Sequence, residues 1–130
     1  MDRPLKKILL VEDEDNIRTI AEMALSMVGG FEVRSCASGA AALEAVEGFR
    51  PDLMLFDVMM PGMDGPALLL AMRQRPDTAA VPVIFFTART QREDVDALLA
   101  LGALEVIAKP FDPMQLPESV KSAWNRAALP

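Results

Sequence analysis

Short apolar runs in this chain break off, one after another, at a charged or hydroxyl-bearing residue. Ile8-Leu9-Leu10-Val11 runs into Glu12-Asp13, and Leu53-Met54-Leu55-Phe56 runs into Asp57. Val83-Ile84-Phe85-Phe86 ends at Thr87, and Val106-Ile107-Ala108 ends at Lys109-Pro110. Runs of this length bounded by turn signals read as buried strands, and strands buried on both faces belong to parallel sheets. Open α/β sheets place their ligand crevice outside the carboxyl ends of the strands. If these strands are parallel and adjacent, three carboxylates, one hydroxyl and one ammonium converge on one rim.

Helix signals fall between the strands. Ile17, Ile20, Ala21, Ala24, Leu25 and Val28 follow the spacing of a helix with one buried face, and Gly29-Gly30 stops it. Phe31 to Cys36 alternates apolar with polar, as a half-covered edge strand does. Ser38 is placed to cap a helix running to about Glu47, and Arg50-Pro51-Asp52 turns into the strand that carries Asp57. Asp64 is an N-cap for a third helix from Ala67 to about Gln74, with Pro66 in its first turn. Leu68, Leu69, Leu70 and Met72 make that helix apolar nearly all round, so part of it is expected at the surface. A fourth helix spans about Arg92 to Leu101. A last one, from about Pro113, carries Leu116, Val120, Ala123 and Ala127 on one face and sets Trp124 off that stripe, half exposed. Five strands alternating with five helices predict a parallel sheet covered on both faces.

Composition excludes several functions. The formal charge of -6, with Arg3, Lys6, Lys7, Arg73, Arg75, Arg89 and Arg92 scattered and read as solvated surface, argues against nucleic acid as a partner. The single cysteine, Cys36, permits no intrachain disulfide and reads as a small buried hydrophobe. No apolar run approaches the roughly 18 residues of a membrane span, and no signal peptide is recognisable, so a cytoplasmic protein is expected.

Acidic residues at strand ends often do no more than cap the next helix, and Glu14, Asp15, Glu93, Asp94 and Asp96 are read that way. Asp13 and Asp57 are harder to dismiss. Carboxylates crowded at one sheet edge repel each other unless a cation neutralises them. An all-oxygen donor set selects a hard octahedral ion such as Mg²⁺, and the chain has no histidine to suggest zinc.

The segments Leu9 to Glu14, Asp52 to Gly65, Thr87-Ala88 and Lys109-Pro110-Phe111 together resemble the receiver domains of bacterial two-component response regulators. The single-domain, chemotaxis-regulator type is the nearest form, and the likeness covers nearly the whole chain. It implies a flavodoxin-like, doubly wound sheet of strand order 2-1-3-4-5, with residues 1–130 forming one receiver domain and no output domain. Asp57 would be the phospho-acceptor. Mg²⁺ would be held by Asp13, Asp57 and the backbone carbonyl of Met59, with Glu12 acting through a water. Thr87 would hydrogen-bond the phosphoryl oxygens and Lys109 would pair with them. The Lys109-Pro110 bond would be cis.

The implied protein is a signalling switch rather than a turnover enzyme. It would take its phosphoryl group from a histidine kinase or histidine phosphotransfer protein and present the face around the fourth helix and fifth strand to a downstream protein target. It would be a monomer or weak dimer. A relay intermediate passing the group onward and a phosphorylation-independent interaction module are the alternatives. A hydrolase is disfavoured because position 59 is Met rather than a second aspartate.

Three departures from the family pattern stand out. Val106 occupies a position that usually carries an aromatic ring, so output is expected to rely on the Ala88 to Asp94 loop and the fourth helix. Met59 and Arg89 flank the path of a hydrolytic water, which predicts a long-lived phosphoryl group. Met54 is expected in the core, with Met59, Met60 and Met63 forming a pliable apolar rim.

Overall fold

The computed structural model describes residues 4–127, and the surface reading of Arg3 lies outside them. Strands β1 (Lys7–Val11), β2 (Glu32–Cys36), β3 (Leu53–Asp57), β4 (Val83–Thr87) and β5 (Glu105–Ala108) form one parallel sheet of order β2-β1-β3-β4-β5. The helices are α1 (Asp15–Met23, continued by a π-helical turn at Ala24–Val28), α2 (Gly39–Phe49), α3 (Gly65–Arg73), α4 (Arg92–Ala100) and α5 (Leu116–Ala127). Among the described residues no helix is long and apolar enough to cross a membrane.

Successive side chains on a strand point to opposite faces, and the core divides accordingly. Leu9, Val11, Met54, Phe56, Val83 and Phe85 pack with Ala42, Val46 and Phe49 of α2, Leu68, Leu69 and Met72 of α3, and Leu98 of α4. Ile8, Leu10, Leu53, Leu55, Ile84 and Phe86 pack with Ala21, Ala24 and Leu25 of the first helix and Leu116, Val120, Ala123 and Trp124 of α5. Each central strand is buried on both sides, which its unbroken apolar sequence requires.

Three expectations need correction. Ile20 and Val28 are exposed rather than buried. At Val28 the cause is the π turn, in which the Gly29 amide donates to Ala24 O at 3.0 Å. One extra residue per turn rotates everything beyond it away from the 3.6-residue pattern. Trp124 is only 3% exposed, and its indole joins the cluster of Leu116, Val120 and Ala123. Arg73, Arg75 and Lys7 are not freely solvated. Arg73 Nη1 donates to Val81 O at 2.9 Å, Lys7 Nζ donates to Phe49 O at 3.1 Å, and Arg75 pairs with Asp77.

The helix caps follow the sequence. Glu14 accepts from the Asn16 and Ile17 amides, Ser38 from Ala41 and Asp64 from Ala67. The β3–α3 connection closes tightly: the Gly65 amide donates to Val58 O at 2.9 Å. A Cβ at Gly65 would lie 2.5 Å from Asp57 O and 3.0 Å from Val58 Cα, both backbone atoms that cannot turn aside. Gly65→Ala is therefore expected to destabilise the fold by about 1–3 kcal/mol in chemical denaturation. An unchanged midpoint would show that the loop yields freely.

Candidate functional site

Register places the site. Val11 is level with Phe56, Asp57 with Phe86, and Thr87 with Ala108, so the residues that follow or end these strands meet at one edge. Glu12 and Asp57 come side by side from β1 and β3, and Lys109 follows β5.

Carboxylate oxygens of Glu12, Asp13 and Asp57 all lie within 4.8 Å of one another. Glu12 and Asp57 are buried, while Asp13 is half-buried. Lys109 crosses the edge to reach them: its Nζ donates to Asp57 Oδ1 at 2.9 Å and lies 2.8 Å from Glu12 Oε1. The second contact is an ion pair by charge and distance, but its angles fall outside hydrogen-bond geometry. Glu12 Oε1 is thus a buried acceptor without a well-aligned donor. Glu12 Oε2 accepts from the Glu14 amide at 3.0 Å, and Arg18 Nη1 donates to the Glu12 carbonyl at 2.9 Å. No motif pointed to Arg18. The available signal was its position, one turn into the helix that follows the acidic pair.

Thr87 is buried at the end of β4, and its Oγ1 accepts from the Arg89 amide at 2.9 Å. It borders a cleft of about 240 Å³ shared with Val58, Met59, Arg89, Asp94 and Leu98. Met59 is 59% exposed, two residues beyond Asp57. Met60, expected on the rim, is buried, whereas Met63 is half-buried. The Lys109-Pro110 bond is cis.

Three carboxylates against one ammonium leave this pocket with a deficit of positive charge. Burial, helped by the like charge of Asp57, pushes the Glu12 carboxyl up to about 7, against the opposing pull of Lys109 and the Glu14 amide. Lys109 is raised on balance: burial lowers it, and the two carboxylates outweigh that burial. The residues fit a hard divalent cation. The donors are oxygens only, they converge, and one buried lone pair lacks a donor.

An open parallel sheet with a charged crevice at its carboxyl edge defines a doubly wound α/β domain built around a buried aspartate and lysine. The chain matches the family model of the response regulator receiver domain over residues 8–121 and belongs to that family of phospho-accepting signalling domains. It is 40% identical over 119 residues to the transcriptional regulatory protein CseB of Streptomyces avermitilis, covering 92% of this chain and 49% of that one. Against the phosphate regulon transcriptional regulatory protein PhoB of Rhizobium meliloti it is 37% identical over 123 residues, covering 95% and 54%. The chain thus spans about half the length of the curated relatives it matches. The chemotaxis response regulator CheY4 of Vibrio cholerae superposes with a TM-score of 0.84 at 30% identity, covering 92% of this chain and 98% of its own.

The raised Glu12 pKa has a thermodynamic consequence. A folded-state value near 7, above the ordinary 4.5, means that the folded chain binds more protons than the unfolded one. The contribution is fully present below about pH 4.5 and is lost as pH rises through 7. In metal-free buffer the stability of the wild type relative to Glu12→Gln should fall between these limits, by on the order of 2–3 kcal/mol, and then level off. Parallel pH profiles of thermal unfolding for the two proteins check this, and a difference that does not vary with pH would refute it.

Proposed function

We propose that residues 1–130 act as one receiver domain whose Asp57 accepts a phosphoryl group from the phosphohistidine of a histidine kinase or histidine phosphotransfer protein. The observation that carries this reading is the Lys109 ammonium held 2.9 Å from Asp57 Oδ1 and 2.8 Å from Glu12 Oε1. A carboxylate attacking phosphorus needs its nucleophile aimed and the charge on the equatorial oxygens offset. Lys109 is placed for both. Asp57 forms its oxygen–phosphorus bond as the donor's nitrogen–phosphorus bond breaks, with the electron pair staying on the imidazole. Residues 1–130 contain no histidine, so the phosphoryl group comes from outside this domain.

Asp13, Asp57 and the Met59 carbonyl would hold Mg²⁺ directly, with Glu12 acting through a water. When bound, Mg²⁺ supplies the positive charge that the transferring phosphoryl oxygens require. Thr87 already spends an acceptor lone pair on the Arg89 amide and keeps its hydroxyl proton to donate. Reaching a phosphoryl on Asp57 would draw the Ala88–Gln91 loop and α4 with it. Val106 is half-buried against the Leu98 and Ala103 cluster and has no ring to swing, so the output signal is carried by that loop and helix.

Ile20, Met23, Met27 and Val28 stand exposed on the first helix, and Met114 is exposed on the loop before α5. They continue through Ile17 and Pro110 to Lys109. A histidine-bearing helix laid on this apolar face would lie beside the acceptor pocket. Protein partners suit a chain of formal charge -6 better than nucleic acid does. The transcription role belongs to the named relatives.

Incubation with a small acyl phosphate and Mg²⁺ should add one phosphoryl group by intact mass. Asp57→Asn or chelation of the metal should abolish the adduct, and labelling that survives in Asp57→Asn would sink the assignment. Met59 and Arg89 line the open side of the cleft beside Thr87, where a thioether and a long side chain hinder a hydrolytic water. Met59→Asn is therefore expected to shorten the phosphoryl lifetime several-fold, as read by decay of the labelled protein. This slow loss is also what the relay alternative needs.

A further inference from the structure

Glu12 is held at both ends of its backbone and through one carboxylate oxygen. Its amide donates to Cys36 O at 3.0 Å, its Oε2 accepts from the Glu14 amide and its Oε1 faces Lys109. The remaining handle, its carbonyl, is held by Arg18 Nη1 at 2.9 Å. The Arg18 backbone amide donates to Glu14 O at 2.9 Å as the first bond of the helix, so the hold on the Glu12 carbonyl is the one that depends on the guanidinium. The other arm of its guanidinium, Nη2, lies 2.6 Å from Asp15 Oδ1. Asp13 follows the carbonyl that the guanidinium holds and precedes Glu14, the N-cap of α1.

The Arg18–Asp15 pair cannot be there for stability alone. Asp15 is 83% exposed, and a surface i,i+3 ion pair contributes little to stability. Nor does electrostatics explain the guanidinium, since a positive charge beside a cation pocket weakens cation binding. Its rigid fork supplies geometry instead: Asp15 orients one arm so that the other meets the Glu12 carbonyl. The Arg18 side chain is 21% exposed, so most of it is sheltered from water.

We infer that Arg18 is a positioning residue that holds the Glu12-Asp13-Glu14 loop in the conformation that binds Mg²⁺, an inference that rests on the Mg²⁺ site proposed above. Its effect is transmitted through the Glu12 carbonyl, the peptide that leads into Asp13, without contact to the ion or to the phosphoryl group.

Mg²⁺ alone is titrated calorimetrically into the wild type, Arg18→Met and Arg18→Lys. Thermal midpoints and Glu14 amide exchange are measured in metal-free buffer. Arg18→Met keeps much of the packing and loses the fork, and its dissociation constant for Mg²⁺ should rise roughly tenfold. Arg18→Lys keeps the charge and should rise several-fold, with Glu14 exchanging faster in both. If Arg18 were only a repelling charge, the Met variant would bind more tightly and the Lys variant would be unchanged. If it were only a structural strut, the midpoint would drop with affinity intact. Either result overturns the inference, and the Lys variant decides should the Met variant fail to fold. A wild type that binds no Mg²⁺ would instead sink the proposed site. Glu14 exchange would then still decide whether Arg18 fixes the loop, with unchanged exchange counting against it.

Discussion

One ammonium shared between two buried carboxylates governs this molecule. Lys109 stands between Glu12 and Asp57, and neither acid has bulk water to fall back on. Removing one partner from a buried ionic cluster leaves an uncompensated charge, which costs far more than the pair contributes while intact. The cluster is therefore weak evidence for stability and strong evidence for purpose. A chain selected only to fold would replace these groups with apolar ones, because the strands leading to them are apolar throughout.

Sheet register turns four separate strand ends into one pocket. Because Val11 pairs with Phe56 and Asp57 pairs with Phe86, a one-residue slip would swing Asp57 to the other face. The register is enforced from both sides at once. Phe56 and Phe85 must meet α2, α3 and α4, while Leu55 and Phe86 must meet α1 and α5. The position of Asp57 is thus a by-product of core packing. Gly65 completes it by letting the α3 backbone close directly over Asp57.

Periodicity and end residues made most of this legible. Fully buried strands announce themselves as unbroken apolar runs, and capping residues such as Ser38 and Asp64 satisfy amides within three positions, so both are local signals. Failures came where geometry departs from the ideal period or depends on distant partners. A π turn inserts a residue with no compositional mark, so Val28 was placed on the wrong face. Trp124 was displaced from its stripe on a helical wheel, yet a large indole reaches sideways into the core. Met60 follows Met59 in sequence and points the opposite way. Arg18 was invisible because its partner is a backbone carbonyl, which every residue possesses.

The two sides of the pocket differ in stiffness, and that difference suits a switch. On the β1 side the Glu12 carbonyl and Oε2 both accept hydrogen bonds, and the Glu14 carboxylate caps α1 by accepting from two amides. On the β4 side α4 buries only Leu98, its N-cap Gln91 makes no side-chain hydrogen bond, and a cleft separates it from Met59. Elements with few buried apolar contacts open at the lowest free energy, and a ligand shifts whichever equilibrium is cheapest to bias. A new charge on Asp57 would find the acidic loop already held and Thr87 linked through the Arg89 amide to the loop that leads into α4. Under the function proposed above, conformational change would then be directed toward α4 by the asymmetry of its anchoring, with no aromatic lever needed at Val106.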